Sequence, residues 1–176
     1  WASYWNERAM KYRHDSRVPQ LETGMAVVVQ RMVDSDSSGI MFTRNPLNGS
    51  DEIVVESSWG LGESIASGLV TPDRFILQPC DHRLLDSQVS EKCLGCFRQG
   101  AENVWQDLDS EKANRPSLQD DQLMSLASWA ERLEDFFQSP QDVEWAFADG
   151  RFFILQSRPI TTVAEDDGDD ILWTRA

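Results

Sequence analysis

The 176-residue sequence is poor in positive charge and has no long apolar run. It carries 16 Lys and Arg against 30 Asp and Glu, which gives a formal net charge of -14. Such a surface repels nucleic-acid phosphates and anionic membranes, so we expect neither as a partner. No stretch is long and apolar enough to span a bilayer, and no signal peptide is visible.

Cysteine and histidine are too few for a disulfide framework or an ordinary zinc site. The only C-x-x-C pair is Cys93 and Cys96, and the only histidines are His14 and His82. A structural zinc site would need a second pair or suitably spaced histidines. Cys80 could add a third ligand, so a small cysteine-ligated metal domain stays open as an alternative. We instead expect free thiols in a cytoplasmic protein.

Apolar residues are abundant enough for a folded core, since 40% of the chain is hydrophobic and it has 7 Trp and 8 Phe. The chain does not begin with Met, and both ends fall within apolar patterns. We therefore expect it to be a piece of a longer protein. An acidic run at 165–170 is typical of a solvated tether.

Hydrophobic periodicity predicts an α+β fold, in which a mainly antiparallel sheet is backed by helices. The most regular helix is predicted over 120–138, where apolar residues recur on one face. Residues 79–117 give no clear pattern. The other predicted elements are helices over 1–14 and 63–67 and strands over 25–33, 40–43, 52–56, 74–78, 142–147 and 151–156.

The last two predicted strands carry a polar face that suits a metal ion with bound phosphate. Residues i and i+2 of a strand share a face, so Asp142 lies beside Glu144 and Gln156 lies beside Arg158. Carboxylate and amide oxygens suit Mg²⁺, and the planar guanidinium group of arginine suits phosphate oxygens. The competing interpretation is a solvated strand face with a surface salt bridge between Glu144 and Arg158.

The register of this hairpin decides whether those side chains meet. The Asp-Gly dipeptide between Ala148 and Arg151 predicts a two-residue turn that pairs these two residues. Continued regularly, that register places Glu144 and Gln156 on opposite faces. A shared metal site therefore requires an odd loop or a β-bulge.

Four segments form a specific ordered series. They read Val-Val-Val-Gln-Arg-Met-Val at 27–33, Ser-Gly-Ile-Met-Phe-Thr-Arg-Asn-Pro at 38–46, Ser-Trp-Gly-Leu-Gly-Glu-Ser at 58–64 with Thr-Pro-Asp at 71–73, and Asp-Val-Glu-Trp at 142–145 with Ile-Leu-Gln-Ser-Arg-Pro at 154–159. The series resembles the phosphoenolpyruvate synthase and pyruvate phosphate dikinase superfamily, including rifampicin phosphotransferase-like members. It is similar to the C-terminal part of the N-terminal ATP-binding domain of that superfamily.

The resemblance implies an ATP-grasp-like fold that holds ATP between two subdomains. Residues 1–29 would then be the tail end of the first ATP subdomain and 30–160 the second subdomain. Residues 161–176 would be an acidic linker toward a downstream domain. The implied partners are the nucleotide and three parts of the same protein outside this sequence: an upstream ATP subdomain, a swivelling histidine domain and an acceptor domain.

The resemblance also implies a site with ATP and Mg²⁺ as cofactors. The implied ATP-binding residues are Gln30, Thr43, Glu63, Glu144, Gln156 and Arg158. The implied metal ligands are Glu144, Gln156 and Asp142, and Arg158 is the implied catalytic residue.

The implied activity is transfer of phosphate from ATP to a histidine and then to an acceptor, with release of AMP and phosphate. Pyruvate, an antibiotic hydroxyl or a glucan could be the acceptor. We expect the isolated chain to be inactive, because the family's phosphate-gripping lysine and arginine would lie upstream of it. The alternative is a non-catalytic ATP-grasp-like binding module.

Overall fold

The computed structural model describes residues 2–15, 17–18 and 26–160. The chain divides into two compact units, Trp1–Met32 and Val33–Ala176. The linker predicted over 161–176 lies outside the described residues. The subdomain boundary predicted at residue 30 stays a prediction.

The described part of the first unit contains two short helices where the sequence predicts one over 1–14. A 3-10 helix spans Ala2–Trp5, and α1 spans Glu7–Asp15. The Arg13 guanidinium lies 3.8 Å from the centroid of the Tyr4 ring and donates a hydrogen bond to the Tyr4 carbonyl at 2.8 Å. This contact ties the two helices together.

The strand predicted over 25–33 is wrong for the residues that the structure describes. Residues 26–35 have no regular secondary structure. The side chains of Val28 and Val29 are 84% and 94% exposed. A β-branched run favours a strand only where a neighbouring strand supplies hydrogen bonds and packing. Among the described residues, 26–35 have no such neighbour.

The second unit is built around a six-stranded antiparallel sheet. The strands of this unit, in chain order, are β1 (Ser37–Phe42), β2 (Ile53–Trp59), β3 (Asp73–Leu77), β4 (Leu84–Gln88), β5 (Leu94–Gln99), β6 (Glu102–Asp107), β7 (Gln141–Ala148) and β8 (Arg151–Pro159). The large sheet has the order β4-β3-β2-β1-β7-β8, and β5 pairs with β6 in a separate hairpin. This architecture confirms the predicted α+β, ATP-grasp-like fold.

The described part of this unit also contains three helices. They are α2 (Glu63–Ala66), α3 (Ser110–Asn114) and α4 (Asp120–Phe137). A capping box between Gln119 and Gln122 begins α4, and Gln138 in the left-handed conformation ends it. The helix predicted over 120–138 is thus confirmed. In the described part of the chain, no helix has both the length and the apolar character needed to cross a bilayer.

The core lies between α4 and one face of the large sheet. Leu126 and Ala130 of α4 pack in one cluster with Met41, Val143 and Trp145 of the sheet. Strand alternation sends the neighbouring residues to the opposite face, which we call the second face. Glu56, Ile40, Glu144 and Gln156 form one cross-strand row on it.

A buried ion pair anchors the segment over 79–117 that the sequence left unassigned. Lys92 Nζ lies 2.5 Å from Asp73 Oδ1, and both side chains are fully buried. The same carboxylate accepts hydrogen bonds from the backbone N–H groups of Ser90 at 3.0 Å and Ser117 at 2.8 Å. The Pro-Asp motif therefore has a structural role, because Asp73 fastens this segment to the start of β3.

Candidate nucleotide site on the second face of the sheet

The closing hairpin turns at the Asp-Gly dipeptide. Asp149 and Gly150 have φ values of 50° and 71°, and Ala148 pairs with Arg151. Positive φ at both central residues gives the strand twist that a two-residue hairpin needs. The predicted turn and its pairing are confirmed.

The ladder has four regular residue pairs after the turn and then a β-bulge. The regular pairing ends at Trp145 and Ile154, and the next pair is Glu144 with Gln156. Leu155 is left without a partner across the ladder. In an unbroken ladder Leu155 would lie opposite Glu144, and Gln156 would point to the core face. The bulge therefore brings Glu144 and Gln156 to the same face.

Two positions further along the ladder, on the same face, Asp142 pairs with Arg158. Arg158 donates a hydrogen bond from Nε to Asp142 Oδ2 at 2.9 Å, and its Nη2 forms an ion pair with the same oxygen at 2.7 Å. Hydrogen bonding and the charge of Asp142 raise the pKa of Arg158, and the nearby charge of Glu144 adds to the effect. The guanidinium thus bonds Asp142, not Glu144 as the salt-bridge interpretation expected.

The donor set fits a magnesium ion that is shared with phosphate. Glu144 and Gln156 are exposed, and among the described residues their side chains have no hydrogen-bond or ion-pair partner. Mg²⁺ commonly takes one or two protein oxygens and completes its shell with phosphate and water. In the described ranges, no three His, Cys, Asp or Glu residues are grouped so that they could hold a metal ion by themselves.

A pocket of about 520 Å³ opens beside this hairpin. Its size is that of a small-ligand site. It is lined by Gly39, Ile40, Gly62, Glu63, Ile65, Ala66, Glu144, Trp145 and Leu155. The pocket therefore brings Glu63, from the first turn of α2, to the site of Glu144.

Comparison with known proteins identifies the domain. Residues 1–175 match the family described as "Pyruvate phosphate dikinase, AMP/ATP-binding domain". The chain belongs to this family. A probable phosphoenolpyruvate synthase of Methanothermobacter thermautotrophicus is 42% identical over 165 residues, which are 94% of this chain and 24% of that protein.

Relatives of this AMP/ATP-binding domain carry different names. The prodigiosin synthesizing transferase PigC of Serratia marcescens is 42% identical over 168 residues, covering 94% of this chain and 18% of that protein. The rifampicin phosphotransferase of Bacillus subtilis is 36% identical over 165 residues, covering 93% of this chain and 19% of that protein. The chain thus spans a quarter or less of the length of these relatives.

Thr43, which was predicted for nucleotide binding, contacts α4 and does not line this pocket of the AMP/ATP-binding domain. Thr43 is buried. It comes directly after β1 and lies on the same side of the sheet as the core. Its hydroxyl donates to Glu134 of α4 and accepts from the backbone N–H of Gln141 at 2.9 Å. Gln30 is exposed in the first unit. Their nucleotide roles stay predictions without a contact that supports them.

The cysteine-ligated alternative gains no support from the described residues of this AMP/ATP-binding domain. All three cysteines are free; Cys80 and Cys93 are exposed, whereas Cys96 is buried. The Cys96 thiol donates a hydrogen bond to Glu63 Oε2 at 3.7 Å. Burial, followed by the charge and hydrogen bond of Glu63, raises the pKa of Cys96 and opposes the thiolate that a metal would need.

Sequence reasoning missed one residue at this site, Asn103. Asn103 of β6 donates from Nδ2 to Glu63 Oε2 at 2.9 Å. The residue lies in the segment over 79–117, where neither periodicity nor the family motifs gave an assignment. An isolated Asn on a polar strand has no pattern that separates it from other exposed side chains.

Proposed function

We propose that this chain forms one wall of the Mg²⁺–ATP site of a dikinase-type phosphotransferase. In the intact protein, ATP would phosphorylate a histidine, which would pass the phosphate to an acceptor such as pyruvate, with release of AMP and phosphate. The observation that carries the proposal is the bulge at Leu155. It pairs Glu144 with Gln156 on one face of the sheet, two positions from the pair of Asp142 with Arg158.

Different side chains would bind the cation and the phosphate groups of the nucleotide. Glu144 and Gln156 would hold Mg²⁺, which supplies charge neutralisation when bound. Arg158, oriented by Asp142, would contact phosphate oxygens through its planar guanidinium group. Phosphoryl transfer depends mainly on such positioning and electrostatic stabilisation, so a wall of this composition is suited to it.

To bind an anionic nucleotide, this acidic chain must provide positive charge at the site. The formal net charge of -14 repels a nucleotide at long range. An arginine side chain is always charged in a protein, and Asp142 raises the pKa of Arg158 further. Arg158 and the bound cation would together offset the acidic surroundings.

The remaining parts of the enzyme would lie outside this chain. Because the chain spans at most 24% of the relatives described above, we propose that an upstream ATP subdomain and downstream histidine and acceptor domains complete the protein. The isolated chain would then be inactive and bind ATP weakly. The relatives share this domain but carry different names. The acceptor would therefore be selected by the downstream domain.

The test uses the intact protein with Glu144→Ala or Arg158→Ala. Each change removes a group that would neutralise or position phosphate, so ATP-dependent AMP formation should fall by about 100-fold or more. Glu111→Ala and Arg151→Ala remove exposed charges of the same kinds elsewhere and should leave the rate close to that of the unchanged protein. Undiminished AMP formation in both site variants would refute the assignment.

A further inference from the structure

The β5–β6 hairpin is docked directly onto the loop that leads to Glu63. The backbone N–H of Leu61 donates to the Cys96 carbonyl at 2.7 Å, and Gly60 forms a bridge with Cys96. Gly60 has a φ of 81°, and a Cβ there would lie 2.0 Å from the Cys96 oxygen. Only glycine allows so close an approach, so the position of the hairpin relative to α2 is closely defined.

Two side chains of this hairpin converge on one oxygen of Glu63. Asn103 donates to Oε2 at 2.9 Å, and the Cys96 thiol donates to the same oxygen at 3.7 Å. Among the described residues, Oε1 of Glu63 has no partner. The carboxylate is therefore fixed through one oxygen, and the other is left for a ligand.

Fixing this carboxylate matters because of what surrounds it. Glu63 and Glu144 line the same pocket, and the other lining residues include the apolar Ile40, Ile65 and Leu155. Those apolar side chains offer no hydrogen bond to hold a glutamate in one rotamer. Like charge on Glu144 would also favour turning Glu63 away. The amide of Asn103 opposes both effects.

We propose that Asn103 and Cys96 are positioning residues that hold Glu63 toward the nucleotide-bound cation. The inference rests on the proposed function, because it needs Mg²⁺–ATP at Glu144 and Gln156. A carboxylate repels phosphate oxygens, so Glu63 meets the nucleotide through the cation. The hairpin, which lies outside the recognised family motifs, thereby completes the cation side of the pocket.

The experiment measures Mg²⁺ with a non-hydrolysable ATP analogue binding to the intact protein by calorimetry. Asn103→Ala removes the stronger donor, and Asn103 is exposed, so the fold should be unaffected. Affinity for the Mg²⁺ complex should fall about tenfold, as for loss of a hydrogen bond to a charged group. The Mg²⁺ concentration for half-maximal AMP formation should rise in parallel. Asn103→Gln keeps an amide donor and should restore most of both.

Gln106→Ala is the matched control, because it deletes an exposed amide from the same strand. Equal losses in Gln106→Ala and Asn103→Ala would show a general loosening of the hairpin and overturn the positioning role. Normal binding in Asn103→Ala, together with lost binding in Glu144→Ala, would overturn the inference and leave the proposed function standing. Normal binding in Glu144→Ala would overturn both.

Discussion

Arg158 contacts one carboxylate oxygen of Asp142 through both a hydrogen bond and an ion pair. Nε and Nη2 both reach Oδ2, at 2.9 and 2.7 Å. The Asp142 side chain is only 14% exposed, whereas that of Arg158 is 64% exposed. The less exposed Asp142 thus holds the more exposed Arg158 in place. This geometry favours an orienting role for Asp142, and the metal-binding role predicted for it remains a separate prediction.

Asp142→Asn separates these two roles. The amide keeps an acceptor oxygen but loses the charge that orients Arg158, so the KM for ATP should rise about tenfold. The Mg²⁺ dependence of AMP formation should not change. Asp149→Asn in the hairpin turn makes the same substitution away from the site and should be neutral. A higher Mg²⁺ requirement in Asp142→Asn would instead support direct metal binding.

At the scale of elements, the bulge in β8 decides which residues the second face presents. The turn at Asp149 and the ladder beside it are regular up to Ile154. One extra residue, Leu155, then shifts the pairing so that Gln156 and Arg158 face the same side as Glu144. Because side chains alternate along a strand, one residue is enough to exchange the two faces.

Length changes at Leu155 test this arrangement. Deleting Leu155 makes the ladder regular and keeps Gln156 opposite Glu144, so most of the nucleotide affinity should remain. Inserting one alanine after Leu155 moves Gln156 and Arg158 out of register and should cost about 100-fold in AMP formation, as expected for misplaced groups. Both variants are compared by nucleotide titration and single-turnover kinetics of the intact protein. A harmful deletion with a harmless insertion would contradict the observed register.

At the scale of the whole second unit, the Asp73–Lys92 pair joins the segment over 79–117 to the sheet. Ser117 binds the same carboxylate through both its backbone N–H at 2.8 Å and its hydroxyl at 2.7 Å. Fully buried charges are tolerated only when they are paired and hydrogen-bonded, as these are. The β5–β6 hairpin and its flanking residues are therefore held to the rest of the unit at two points, Asp73 and Gly60.

Lys92→Met tests the importance of the buried pair for stability. It leaves the Asp73 carboxylate buried without its cation, and the free energy of unfolding should fall by about 3–5 kcal/mol. The double variant Asp73→Asn/Lys92→Met should recover part of this loss, since no buried charge remains. Denaturant unfolding measures all three proteins, with Lys11→Met as the exposed control. A fall below about 1 kcal/mol in Lys92→Met would show that the pair contributes little.

Prediction from sequence succeeded where the determining contacts are local. The apolar stripe of α4 and the Asp-Gly turn each depend on residues that are close in the chain, and both were predicted. The prediction of a strand over 25–33 was wrong. Val28 and Val29 have high β propensity, but propensity alone does not form a strand where no neighbouring strand is present to pair with it. Asn103 was missed because its partner Glu63 is 40 positions away.

The sequence by itself determined the family, the antiparallel α+β plan and the residue types available for a metal and phosphate. Strand alternation already placed Glu144 beside Asp142 and Arg158 beside Gln156. Only the tertiary structure decided that these two pairs share a face, because that depends on one unpaired residue, Leu155, within the ladder. A bulge is a property of the paired strands, and Leu155 read alone is an ordinary apolar strand residue.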